Sequence, residues 1–275
     1  MTSPLPVAVL GTGPLAERIA AHPGLVVTAH SPVVLHLSPD PAELPALLAA
    51  GRNVVTALPL HELPRAELAA AAGTGNATLH ATGGHQSAVA ARLTRSLAAA
   101  TRGITRIELV EEIVLPDAGV YPWPGGLGAD AGSAEAAAAA TAGYYADGLR
   151  TLADGAIGER GDATAATVTV RVETGDSGGV ERVTAEHTLG DRVRYRSIRS
   201  RTGAVPLRYR LISTSAAGTG TTTVDFHPVD GLHPAEHLTL VEMLSAARAV
   251  VASPPGIALR DLAITHLAPD DRLSR

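Results

Sequence analysis

Pro6-Val7-Ala8-Val9-Leu10-Gly11-Thr12-Gly13-Pro14-Leu15-Ala16 is the stretch that decides how the rest of the chain is read. The mainly apolar run without polar alternation suits a strand buried on both faces, and the glycines after it suit a tight turn into a helix that carries Leu15, Ile19 and His22. Strand, Gly11-x-Gly13-x-x-Ala16 turn and helix together make a phosphate-binding fingerprint, because glycine lets backbone amides approach a pyrophosphate at a helix N-terminus. The same residues also serve simply to pack a helix closely on a strand. Gly11, Gly13 and Ala16 are the candidate nucleotide contacts.

Outward from this unit the alternation continues. Apolar runs at 25–29 and 33–37 are separated only by His30-Ser31-Pro32; Asp40-Pro41 opens a helix through Ala50, with Gly51 as its stop. Strands are predicted at 53–58 and 78–81, helices at 67–72 and 87–100, and a strand at 107–115. This is the pattern of a parallel sheet covered on both faces. Residues 116–133 are rich in Gly, Pro and Asp, and an Ala-rich helix follows to about Ala153. Alternating runs at 167–173, 180–189, 194–198, 207–213 and 221–226 then predict a mainly antiparallel sheet. A helix from His237 to Ala252 and a tail strand around 262–265 complete the reading.

The 275 residues carry a formal charge of −5, no cysteine, and no lysine, so all 22 basic residues are arginine. Thiolate nucleophiles, thiolate metal sites, Schiff-base chemistry and a Walker-type phosphate loop are excluded. Scattered arginines and three per cent aromatics offer no stripe for nucleic acid. The start MTSPLPVAVL has no basic export region and no run approaches a membrane span, so a cytoplasmic protein with a small-molecule substrate is expected.

Several stretches, in order, resemble the dihydrodipicolinate reductase-related dehydrogenases that include 2,4-diaminopentanoate dehydrogenase and the native amine dehydrogenases. They are Gly11-Thr12-Gly13, Gly51-Arg52-Asn53-Val54-Val55-Thr56, Ala81-Thr82-Gly83, Glu112-Ile113, Glu186-His187 and Ala252-Ser253-Pro254-Pro255-Gly256-Ile257. The resemblance implies an α/β fold: a reduced Rossmann-like domain over 1–115, completed by 235–275, and an α+β substrate and dimerisation domain over 116–234. It also implies a homodimer that reduces imines or oxidises amines with a nicotinamide cofactor, and a site role for His187.

Three departures stand against the implied chemistry. A dinucleotide fold carries an acid for the adenosine ribose after its second strand, then a helix and a third strand. Here Thr28-Ala29-His30-Ser31 offers neither acid nor arginine, and two parallel neighbours need a crossover of a dozen residues, so 25–29 and 33–37 read either as a bottom loop feeding a strand or as a hairpin. After Thr56, where the amine-dehydrogenase pattern has an acid, stands Ala57-Leu58-Pro59; after Thr82-Gly83, where relatives have an acid and Pro-Gly, stands Gly84-His85-Gln86-Ser87.

Glu112 ends a strand at the entrance to the second domain, where ligands of open α/β sheets collect, and is a candidate general acid or base; its alternative is a strand-end salt bridge with an arginine. Adjacent Glu111 is expected to point to the opposite face. Imidazole titrates near neutrality, which makes His85 a proton-transfer candidate, or else a capping histidine. Tyr121, Trp123, Tyr144 and Tyr145 could line an apolar pocket. His233-Pro234-Ala235-Glu236-His237 matches the spacing of one zinc-hydrolase motif, but Pro234 suits the first turn of a helix better; no metal is expected. These residues point to acid/base catalysis by Glu112 and His85, helped by His187, in a cyclase, isomerase or dehydratase of specialised metabolism without a cofactor. The alternatives are an NAD(P)H-dependent reductase of an imine or carbonyl and a non-catalytic binding relative.

Overall fold

β1 (Leu5–Leu10) runs into α1 (Pro14–Ala20) through Gly11 and Gly13, whose φ angles of 116° and 105° suit glycine. The computed structural model describes residues 3–100, 103–115, 127–157 and 166–259. Tyr121, Trp123 and the tail strand expected at 262–265 lie outside them.

Beyond α1 come β2 (Leu25–Val27), β3 (Val33–His36), α2 (Leu44–Ala49), β4 (Asn53–Thr56), α3 (Arg65–Gly75), β5 (Thr78–Ala81) and α4 (Gly84–Ala100). At the far end of the described chain, α7 (Pro234–Ala252) leads to β12 (Gly256–Ile257). The sheet order is β12-β5-β4-β3-β1-β2, all parallel. Its strands are apolar on both sides because both are covered. Ala8, Val34 and Val54 pack on Leu44, Leu48 and Leu68; Val7, Val33, Leu35 and Val55 pack on Ile19, Met243, Ala247 and Val250.

The two short runs after α1 are neither loop and strand nor hairpin. Both pair with β1 in parallel, on its opposite sides. Val27 is level with Val7 and Val34 with Ala8, so the chain takes up β3 at the height where it leaves β2. A crossover must be long only when the chain has to return to the start of its neighbour. Thr28 to Pro32 pass straight across, tied by Thr28 N–H to the Val7 carbonyl and by Arg52, which donates to the carbonyls of Ala29 and Ser31. β2 therefore stops at Val27, and among the described residues no strand lies beside Ala8, Val9 and Leu10 on that side.

The strand assigned from sequence to the first domain is β6 (Ile104–Val114), and it lies centrally in a second sheet. That sheet adds β7 (Ala166–Thr174), β8 (Val180–Leu189), β9 (Val193–Ser200), β10 (Leu207–Ser215) and β11 (Gly218–Phe226), in the order β11-β10-β6-β9-β8-β7. Every pairing is antiparallel except β6 with β9. The Ala-rich helix is two helices, α5 (Ala131–Ala140) and α6 (Ala142–Leu152), meeting at Thr141. One face of the sheet is an ion-pair lattice in which Arg196 meets Glu108 and Glu186, and Arg208 meets Asp225. The other is buried together with Val89, Ala90, Tyr145, Leu149 and Leu152 of α4 and α6.

Candidate active site

On the covered face of β6 the side chains alternate as Ile107, Leu109, Glu111 and Ile113, all buried. Glu111 thus occupies a core position. The expected parity is reversed: Glu112 is only half-buried and is paired in register with Arg208, whose guanidinium it favours electrostatically. Arg208 itself is ion-paired with Asp225, so Glu112 lies on the ion-pair face of the sheet, away from the buried cluster.

The register places Glu111 beside Tyr209 of β10 and Ser197 of β9, while Tyr195 and His187 stand together in the next row. Glu111 accepts from the Tyr145 hydroxyl at 2.9 Å, from Ser197 at 3.0 Å, from Tyr195 at 3.3 Å, and from Tyr209 by a short bond. His85, in the first turn of α4, brings Nε2 to 3.4 Å from the carboxylate oxygen that accepts from Tyr195 and Tyr209. Two glycines let this assembly close. A Cβ on Gly148 of α6 would stand 2.5 Å from the Tyr195 ring, and one on Gly83 would stand 2.6 Å from Ser87 Oγ.

Every member is nearly or wholly out of water. Burial pushes the Glu111 carboxyl up, but His85 and the Tyr209 and Tyr145 hydroxyls outweigh it and hold it at about 2, so it is ionised at neutral pH. The tyrosines move the other way: burial and the Glu111 charge raise Tyr195 and Tyr209 well above their ordinary range, and burial raises Tyr145 despite the Arg199 charge. They stay protonated and donate. His187 stacks on Tyr145 at 5.3 Å with no hydrogen-bond partner at either ring nitrogen. Burial, then the Arg199 charge, lower it to about 4, so it is a neutral imidazole. The structure thus brings His85 and His187 together, with Glu111 in the place expected of Glu112.

A second grouping lies across the Gly83-Gly84 turn. Leu60-His61-Glu62 form a 3-10 turn after β4, and Asp147 of α6 accepts from the Leu60 amide at 2.6 Å and the His61 amide at 3.3 Å. His61 Nδ1 lies 2.8 Å from Asp147 Oδ1. Gly83 and Gly84 donate to the carbonyls of Leu58 and Ala57, so the turns after β4 and β5 are stitched together.

At the same edge of the sheet, after β1, the Gly11–Gly13 turn fits a pyrophosphate in part. A Cβ on Gly13 would meet nothing within 4 Å, and no side chain caps the first amides of α1. The segment after β2, where a dinucleotide fold carries its ribose contact, offers no acid or arginine at Thr28 to Ser31 and is instead tied to Arg52 through the Ala29 and Ser31 carbonyls. His233 caps α7 in a capping box with Glu236, which accounts for the zinc-like spacing. Among the described residues no group of three or more His, Asp or Glu could hold a metal, and no helix is long and apolar enough to cross a membrane.

Solved structures share this fold. An amine dehydrogenase from Mycobacterium smegmatis superposes with a TM-score of 0.69 at 16% identity, over 93% of this chain and 95% of that one. The chain has a dehydrogenase fold. GenD2 from gentamicin A biosynthesis, solved in complex with NAD, follows at 0.55 and 17% identity over 92% and 88% of the two chains. A probable dehydrogenase from Thermotoga maritima gives 0.56 at 10% identity over 92% and 91%. No protein-family model matches the sequence, and no curated protein does.

Proposed function

We propose that the chain is a nicotinamide-linked oxidoreductase acting on an imine, amine or carbonyl of a small molecule. The observation that carries this reading is that an open glycine turn after β1 and the turn after β5 that leads to His85, the partner of the buried Glu111 carboxylate of β6, lie at the same carboxyl edge of one parallel sheet. The neighbouring dehydrogenase structures support it over a cofactor-free reaction. Gly11, Gly13 and the first amides of α1 would hold the pyrophosphate, and the nicotinamide, when bound, supplies or accepts hydride. The chain's own task is the proton that reduction of a C=N or C=O bond requires on nitrogen or oxygen. His85, 3.4 Å from Glu111, can hold and give up that proton, while His85 itself and the tyrosine hydroxyls keep the carboxylate ionised and oriented.

A titration of NADH and NADPH fluorescence tests this, with turnover followed on ketones supplied with ammonium. Binding in the micromolar range is expected; no binding up to millimolar nucleotide refutes it. The second reading, acid/base catalysis of a cyclase, isomerase or dehydratase type without nicotinamide, is favoured by one observation: β2 stops short and leaves no ribose contact. In that case neither nucleotide binds, yet Glu111→Gln and His85→Ala still abolish product formation.

A further inference from the structure

His61 and Asp147 are used by neither the phosphate turn nor the Glu111 cluster, yet they stand where the turns after β4 and β5 meet. An ionised carboxylate only accepts, so Asp147 fixes the proton of the neutral ring on Nδ1 and leaves a lone pair on Nε2. The His61 side chain keeps 16% of its surface exposed, in contrast to buried His85. A latch between this turn and α6 would need only the two backbone amides that Asp147 already takes. The charged and titratable groups facing the ring are Glu62, 3.8 Å from Nε2, and from α6 Asp147 with Arg150 behind it at 4.0 Å and Tyr144, which senses the charges of Glu62 and Asp147.

We propose that His61, oriented by Asp147, is a second acid–base residue of this site, serving its solvent side. A substrate bound against the exposed edge of the His61 ring would give a proton from its nitrogen or oxygen to Nε2, forming an imidazolium held by Asp147, and would recover it in the reverse direction. The imidazolium exchanges that proton with water, and no other bond changes. This deepens the function proposed above and rests on the same end of the sheet being the place of reaction.

Two measurements test it. The tautomer of His61, read by 15N–1H NMR correlation on the whole protein, is expected as Nδ1–H in the wild type and as a mixture in Asp147→Asn; an Nε2–H ring in the wild type overturns the pair whether or not the protein reduces anything. Where the nucleotide-dependent assay gives turnover, His61→Gln is expected to lower kcat by about 10²–10⁴-fold with little change in KM and to erase one limb of the pH profile. Wild-type kcat with an unchanged profile in that variant overturns the proposal and leaves the proposed function standing. Absence of all turnover and nucleotide binding in the wild type refutes the proposed function, and the tautomer then decides the pair.

Discussion

Glu111→Gln exchanges a buried carboxylate for an amide of nearly the same shape, and so removes its charge without emptying space. One carboxylate oxygen now accepts from Tyr145 and Ser197; the other accepts from Tyr195 and Tyr209 and faces His85. An amide NH2 on either side meets hydroxyls that were donating, so they must turn or lose their bonds. A carboxyl held at about 2 rather than 4.5 stabilises the folded protein by about 3 kcal/mol at neutral pH. Since the folded value lies below the unfolded one, this stability is complete above about pH 4.5 and is lost as pH falls through 2. In Glu111→Gln it is absent throughout. Urea unfolding from pH 7 down to pH 3 measures the difference: about 3 kcal/mol at pH 7, equivalent to roughly 6–12 °C in Tm, shrinking to about 1 kcal/mol at pH 3. A variant as stable as wild type at pH 7, with the same slope below pH 4.5, would falsify the assignment of an ionised Glu111.

Other substitutions probe the same assembly from different sides. His187→Phe keeps the stack on Tyr145 and removes two buried nitrogens without partners. A histidine lowered to about 4 stays neutral in the fold, so its site loses stability as pH falls from 6.5 toward 4; thermal melts should show the variant overtaking wild type by up to about 3 kcal/mol at pH 4, and parallel curves would contradict this. Gly148→Ala drives a methyl into the Tyr195 ring and should cost about 1–3 kcal/mol of unfolding free energy; an unperturbed variant would show that the contact can relax. Gly13→Val meets open space but takes an unfavourable φ, so it should fold with about 1–3 kcal/mol of strain while NADH binding weakens at least tenfold; equal binding would remove the turn from the site.

Much of the site was legible in the chain. The spacing Ile107, Leu109, Glu111, Ile113, Leu115 places a carboxylate in the apolar register of a strand, with Arg106, Glu108 and Glu112 on the other parity. Weighing that alternation across the whole strand would have selected Glu111, whereas reading position from the strand end selected Glu112. His85 stands out because imidazole is chemically distinctive wherever it stands, and His187 because the resemblance implies a site role for it; the structure places both beside Glu111. Tyr195 and Tyr209 lie on β9 and β10, and only the pairing of both strands with β6 brings their hydroxyls to one carboxylate. His61 and Asp147 are 86 residues apart, and nothing local links them.

Order along the chain determined the parallel sheet, its two covered faces, the glycine turn and the alternation of the second sheet, because these follow from hydrophobic period and from glycine's freedom at positive φ. Register and packing decided the rest. Five residues crossing beneath β1 at one height let β2 and β3 flank it, an arrangement that a rule for returning crossovers forbids. The buried cluster forms where a strand of one sheet, the first turn of α4 and the inner face of α6 exclude water around the Glu111 carboxylate. A pKa depends on which dipoles and charges surround a group in space, and that neighbourhood exists only once the chain is folded.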